Sequence, residues 1–268
     1  MGKRRHGRTA SSALIALALA VATACGGDDD DDAGSEATDA PVATSLTTSR
    51  DTGATPAGTA GEGEDTDEYT GDEGEPVQGG EITVIHVTDS STLDPISGNS
   101  GNDHMSLYPM YDRLLNFDPE TLEPRPGLVA EWDQPDPQTL VLTLQEGVTF
   151  HDGTPFDAEA VVYNLERARS LDTSTVKADV AMIESVEATG PHEVTIHMNR
   201  PDASLLLILA DRPGMMASPT AIEEHGEEFG LHPVGTGPFR FVEWRQGDRL
   251  VLEKNPDYWQ EGKPYLDR

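Results

Sequence analysis

The chain has 268 residues, with 49 Asp and Glu against 18 Lys and Arg, a formal net charge of -31 and a single cysteine. So acidic a chain repels nucleic acid and anionic lipid surfaces, which argues against both as partners. One cysteine excludes an internal disulfide and a cysteine-based zinc site.

Lys3, Arg4, Arg5 and Arg8 give a positive start, and an uncharged run rich in Ala and Leu follows from Thr9 to Ala24. That run is about fifteen residues long, short of the roughly twenty that span a bilayer, and it ends in small residues. Residues 1–24 therefore read as a secretory signal peptide. Arg4-Arg5 raises a twin-arginine export reading, but His6-Gly7 lacks the rest of that signal. Ala22-Thr23-Ala24-Cys25 resembles the bacterial lipobox, with Ala22 where Leu is usual. The resemblance implies that Cys25 is lipidated, and two acyl chains on it would anchor the protein to the membrane where one would not.

Residues 25–79 read as an acidic tether. Asp28 through Asp32 lead into a mixture of Thr, Ala, Gly, Ser, Pro, Asp and Glu with neither helical nor strand period. Such a segment cannot bury enough apolar surface to offset its ordering entropy, so disorder is expected. A coil of this length spans about 40 Å. The Asp run lacks the spaced ligands and turn glycine of a calcium loop, and a solvated spacer is the simpler reading.

A folded body is expected from residue 80 to 268. Ile82 to Val87 is apolar on both faces and predicts a strand central in a sheet. Thr88 to Pro95 is turn chemistry, and Ile96 to Asp103 is a loop rich in Gly, Ser and Asn. Leu107, Met110, Tyr111, Leu114 and Leu115 make a helical stripe within Met105–Leu115, provided that Pro109 sits in the first turn. Thr139 to Leu144 alternates cleanly and predicts a half-buried strand. A helix is expected after Asp157, its N-cap, with Val161, Val162, Leu165 and Ala168 inward. Two strands are expected within 186–198 and a short helix over 219–229. Phe239–Trp244 and Arg249–Glu253 then read as a hairpin. The mixture without strict alternation gives a mixed α/β class.

Four stretches, in order, carry a resemblance to a known family. They are Ile82-Thr83-Val84 through Asp94-Pro95; Tyr108–Leu115 with Leu122–Trp132; Gly147–Phe156 with Ala158–Tyr163; and Val234–Phe239 with Asn255-Pro256-Asp257-Tyr258-Trp259. Together they resemble the extracellular solute-binding proteins of family 5, the peptide- and nickel-binding type. One departure is Gln145-Glu146, where the family usually has a basic residue. The resemblance implies a periplasmic-binding-protein-like lobe with a mixed sheet, in which 105–181 forms an inserted subdomain. It also implies a second lobe after Tyr258–Trp259, so the chain reads as truncated before that lobe.

The function so implied is an extracytoplasmic, lipid-anchored protein of the bacterial cell membrane that delivers oligopeptides or similar solutes to ABC permease subunits. A nickel chelate, an oligosaccharide or another solute is the alternative ligand. A truncated, non-transporting fragment or a surface hydrolase is the alternative class. In peptide-binding relatives the first lobe lines the cleft with the loop that matches Gly98–Asn102, which makes Asn99, Ser100, Gly101 and Asn102 the expected ligand contacts. No cofactor and no metal is expected. His151-Asp152-Gly153 is the most enzyme-like feature, but as a turn it needs no chemistry. His192 and His197 lie an odd number of residues apart on strand and cannot chelate together. His225 and His232 fall in separate loop-like stretches, and Met215-Met216 reads as core or cleft lining, with core the default.

Overall fold

The computed structural model describes residues 76–98 and 101–268. The signal run, Cys25, the tether up to residue 75, Asn99 and Ser100 lie outside the described residues.

The chain first forms a 3-10 turn, Gly101–Asp103, and a one-turn helix α1, His104–Leu107. Strands β1 (Leu115–Phe117) and β2 (Pro124–Pro126) pair antiparallel around a turn in which Asp118 accepts from the amides of Glu120 and Thr121. β3 (Val129–Asp136) and β4 (Thr139–Leu144) lead to helix α2 (Ala158–Ser170), and β5 (Ile183–Gly190) and β6 (Glu193–Met198) follow. Helices α3 (Leu205–Ile208) and α4 (Pro219–His225) precede the hairpin of β7 (Phe239–Arg245) and β8 (Arg249–Lys254).

The central element is an antiparallel sheet in the order β3-β4-β6-β5. β4 is an interior strand whose Leu142 pairs with Trp132 on one side and Val194 on the other. Its alternation puts Leu140, Leu142 and Leu144 into the core beside Val161, Leu165 and Ala168 of α2. Each such burial contributes about 1.5–3 kcal/mol. α2 starts where expected, with the Asp157 carboxylate accepting from Ala160 N–H at 3.0 Å. The sheet holds strands from both sides of residue 181, so the unit that it organises reaches Met198. A second core gathers Leu107, Met110, Tyr111, Met215, Ile222 and Phe229 under the β7–β8 hairpin. Met215 and Met216 are both buried, as read.

Two expectations fail. Ile82–Val87 is not a central strand. The chain there is extended, and Ile82, Val84, Ile85 and Val87 are 63%, 61%, 92% and 95% exposed. Among the described residues its backbone is joined only near its start, where Gly79 N–H donates to Tyr265 O, Ile82 N–H to Arg268 O, and Asp267 N–H to Gly80 O. No described strand lies along the rest. The stripe at 105–115 does not form one helix either. α1 stops at Leu107, because Pro109 has no N–H to continue the ladder and its ring crowds the carbonyl four residues earlier. Met110, Tyr111, Leu114 and Leu115 are buried all the same.

Candidate functional site

The described residues on either side of 99–100 are held by side chains from distant parts of the chain. Asp94, almost fully buried, takes Arg167 of α2 in a two-pronged pair at 3.0 and 2.6 Å, and its Oδ2 also accepts from the Ser97 hydroxyl. Such a planar fork fixes orientation as well as position. Buried Arg212 donates from Nε to Pro95 O at 2.7 Å and from Nη2 to Thr175 Oγ1 at 3.3 Å. Thr175 in turn donates its amide to Ile96 O and its hydroxyl to Gly98 O at 2.6 Å. Tyr111 O–H donates to Leu93 O, and Asp103 accepts from both the amide and the hydroxyl of Ser91. A Cβ at Gly98 would lie 2.3 Å from Asp103 Oδ2, so no other residue fits there without displacement.

Gly101 and Asn102, two of the four expected ligand contacts, stand exposed at the end of this cradle. Asn99 and Ser100 are outside the described residues. Beside them His104 bridges inward, with Nδ1 2.8 Å from Gly101 O and Nε2 2.6 Å from Asp211 Oδ1. Tyr108 stacks edge-on against His104 and lies under the Arg113 guanidinium. The arrangement holds Gly98 and Asp103, on either side of residues 99–100, at a fixed place. The anchors Asp94, Arg167, Thr175 and Arg212 escape a sequence reading. The one signal for them is that Asn164 and Arg167 interrupt the inward face of α2 with polar groups.

His151-Asp152-Gly153 is a structural turn. The His151 ring donates from Nε2 to Gly237 O at 2.9 Å and accepts at Nδ1 from Gly235 N–H at 3.3 Å, which occupies both nitrogens. Burial pushes its pKa down to about 4. Asp152 turns away to accept from Ser218 O–H at 2.5 Å and from Thr154. Burial raises its carboxyl, but these hydrogen bonds outweigh that and hold it below the ordinary range. The turn that His151 grips passes close to Met110, whose carbonyl would lie 2.1 Å from a Cβ at Gly235. Asp112 then receives Tyr258 O–H at 3.0 Å and Trp259 Nε1–H at 2.8 Å, which seats the C-terminal segment.

His225 and His232, separate in sequence, stack at 4.3 Å. Among the described residues no group of three or more His, Cys, Asp or Glu is placed to hold a metal ion. A groove of about 530 Å³ lies between 147–149, 155–159 and the β5–β6 turn, and none of the described loop residues lines it.

Residues 123–268 match the model of the bacterial extracellular solute-binding proteins, family 5 Middle. The chain is 36% identical over 195 residues to the glutathione-binding protein GsiB of Pectobacterium atrosepticum, covering 72% of this chain and 38% of that protein. Two solved structures are also similar. One is the periplasmic binding protein DppA of Helicobacter pylori with the peptide STSA, at a TM-score of 0.65 and 28% identity over 72% of this chain and 42% of that one. The other is the oligopeptide-binding protein AppA of Bacillus subtilis with a nonapeptide, at 0.66 and 27% over 72% and 40%. The chain thus spans about two fifths of the length of the relatives it matches. With more than half of its residues inside the family model, and with these relatives behind it, the chain belongs to the bacterial extracellular solute-binding proteins of family 5.

Proposed function

We propose that this chain is part of an extracytoplasmic, Cys25-lipidated binding protein that captures short peptides, glutathione-like tripeptides among them, for an ABC importer. The observation that carries the reading is the Pro95–Asp103 loop, pinned by the Asp94–Arg167 pair and by Arg212. Anchors on both flanks restrict the loop before a ligand arrives, so less entropy is lost on binding. Gly101 and Asn102, exposed on the surface, with Asn99 and Ser100 before them, would meet the peptide, and bridging water would accept varied side chains. Relatives named for glutathione and for bound peptides support that ligand class.

The test is the melting temperature of the 268-residue chain with glutathione, di- to pentapeptides, nickel–histidine and oligosaccharides. A ligand that binds only the folded state raises it. Stabilisation by peptides or glutathione is expected. Stabilisation by the nickel chelate or sugar alone would replace the ligand class, and no response to any of them would sink capture by this chain. Labelling with a fatty acid in bacterial cells, lost in Cys25→Ser, checks the anchor.

A further inference from the structure

His104 stands just after the loop, and both of its ring nitrogens face acceptors. Nδ1 lies 2.8 Å from Gly101 O, and Nε2 lies 2.6 Å from Asp211 Oδ1. A backbone carbonyl can only accept, and so can an ionised carboxylate. Neutral imidazole has a single N–H, so it serves one of these oxygens and turns a lone pair on the other. The imidazolium serves both. A proton placed on Asp211, with Nε2 accepting it, would sit between the same two atoms. The Asp211 side chain is half exposed, which favours the charged pair over that arrangement.

We infer that His104, as imidazolium, is a positioning residue of the binding loop: it clasps Gly101 to Asp211, and loss of its proton releases Gly101. The consequence for binding rests on the loop being a ligand contact, as proposed above; the clasp itself does not. In the neutral ring Nε2 keeps its proton, because a bond to a charged acceptor is the stronger of the two. The bare Nδ1 then opposes the Gly101 carbonyl, and that contact opens. Since the charged ring makes the clasp, it holds at acid pH. It is lost as pH rises through the range, about 5 to 8, in which histidine side chains give up their proton.

Around the ring, Tyr108 packs edge-on at 5.2 Å. Burial and then the Asp211 charge push its phenol up, so it stays protonated. Arg113 lies over the Tyr108 ring, 4.6 Å from its centre, and donates to Ala210 O and Asn116 Oδ1. Its charge opposes a second cation nearby, but Asp211 is in direct contact with His104. Asp103, the preceding residue, accepts from Ser91. Arg212, beside Asp211, donates to Pro95 O and Thr175 Oγ1.

NMR of the full chain without ligand, from pH 5 to 8, tests the clasp by reading the His104 ring nitrogens beside the Gly101 backbone. At pH 5 both nitrogens should carry protons. As pH rises the proton should leave Nδ1, and the Gly101 carbonyl shift and backbone order should change with the same midpoint. In Asp211→Asn the side-chain amide can donate to Nε2, so the neutral ring keeps an Nδ1–H for Gly101, which should stay held at pH 8. A nitrogen already bare at pH 5, a proton that leaves Nε2 instead, or a Gly101 that ignores the ring would each overturn the inference. The unmodified chain decides these three even if the variant fails to fold. Release of Gly101 at pH 8 in folded Asp211→Asn would overturn it as well. Peptide affinity, compared at pH 5.5 and 8, separates the clasp from capture. Weaker binding at pH 8 joins the two, whereas equal binding across a titrating clasp keeps the clasp and removes this loop from the ligand site.

Discussion

Ile82–Val87 and Thr139–Leu144 are both β-branched or leucine-rich runs of six residues, and both read as strands. One is the interior strand of a four-stranded sheet, paired on both sides. The other runs through solvent with most of its apolar side chains bare. The difference does not lie in propensity, which favours a strand in both. It lies in supply: β4 has β3 and β6 to satisfy its amides and α2 to cover its leucines, whereas 83–87 has neither among the described residues. Sequence states what a segment can become, and its neighbours decide whether it does.

The boundary between the two regimes falls at Leu93–Asp94, where the chain first enters the core and meets Arg167. The comparison breaks hardest there. Arg167→Ala leaves Asp94 buried and unpaired, and a cost of about 3–5 kcal/mol is expected, read by urea denaturation. The Pro95–Asp103 loop should also exchange its amide hydrogens faster. If stability falls by less than about 1 kcal/mol, solvent already reaches Asp94 and the loop is not pinned by this pair.

Leu142→Ala sharpens the other side. Leu142 is fully buried at the centre of β4, and truncating it should cost about 3 kcal/mol through lost transfer energy and the cavity left behind. The measurement is again the urea midpoint at unchanged slope. A loss below about 1 kcal/mol would mean that the sheet closes over the gap, and that β4 is less tightly clamped than its pairing implies.

How much of this could be read beforehand follows from the range of the interactions involved. β4, α2 with its Asp157 cap, and the β7–β8 hairpin were legible because each rests on a local period or a local cap. The consequence of Pro109 depends on where the helix begins; α1 begins at His104, which leaves the proline beyond its end. For the candidate site, the Gly98–Asn102 loop rests on the family resemblance, and its ligand role is a proposal. The loop's anchors could not be read in the sequence, because Asp94 and Arg167 lie 73 residues apart and Pro95 and Arg212 lie 117 apart, and no local pattern reports such pairings. His151 was readable as a turn residue, while its grip on Gly235 and Gly237 was not.

The smallest expected effect is the most direct test of the leading segment. Ile85 is 92% exposed, so Ile85→Asn removes almost no buried apolar surface and should change stability by less than about 0.5 kcal/mol. The matching substitution at Leu142 would place an unsatisfied amide in the core and be severe. Measured side by side in the same chain, the two isolate burial from strand propensity, because both replace a strand-favouring aliphatic residue with asparagine. A loss at Ile85 above about 1 kcal/mol would show that 83–87 is covered in solution after all. The two runs would then be alike in fate as well as in sequence.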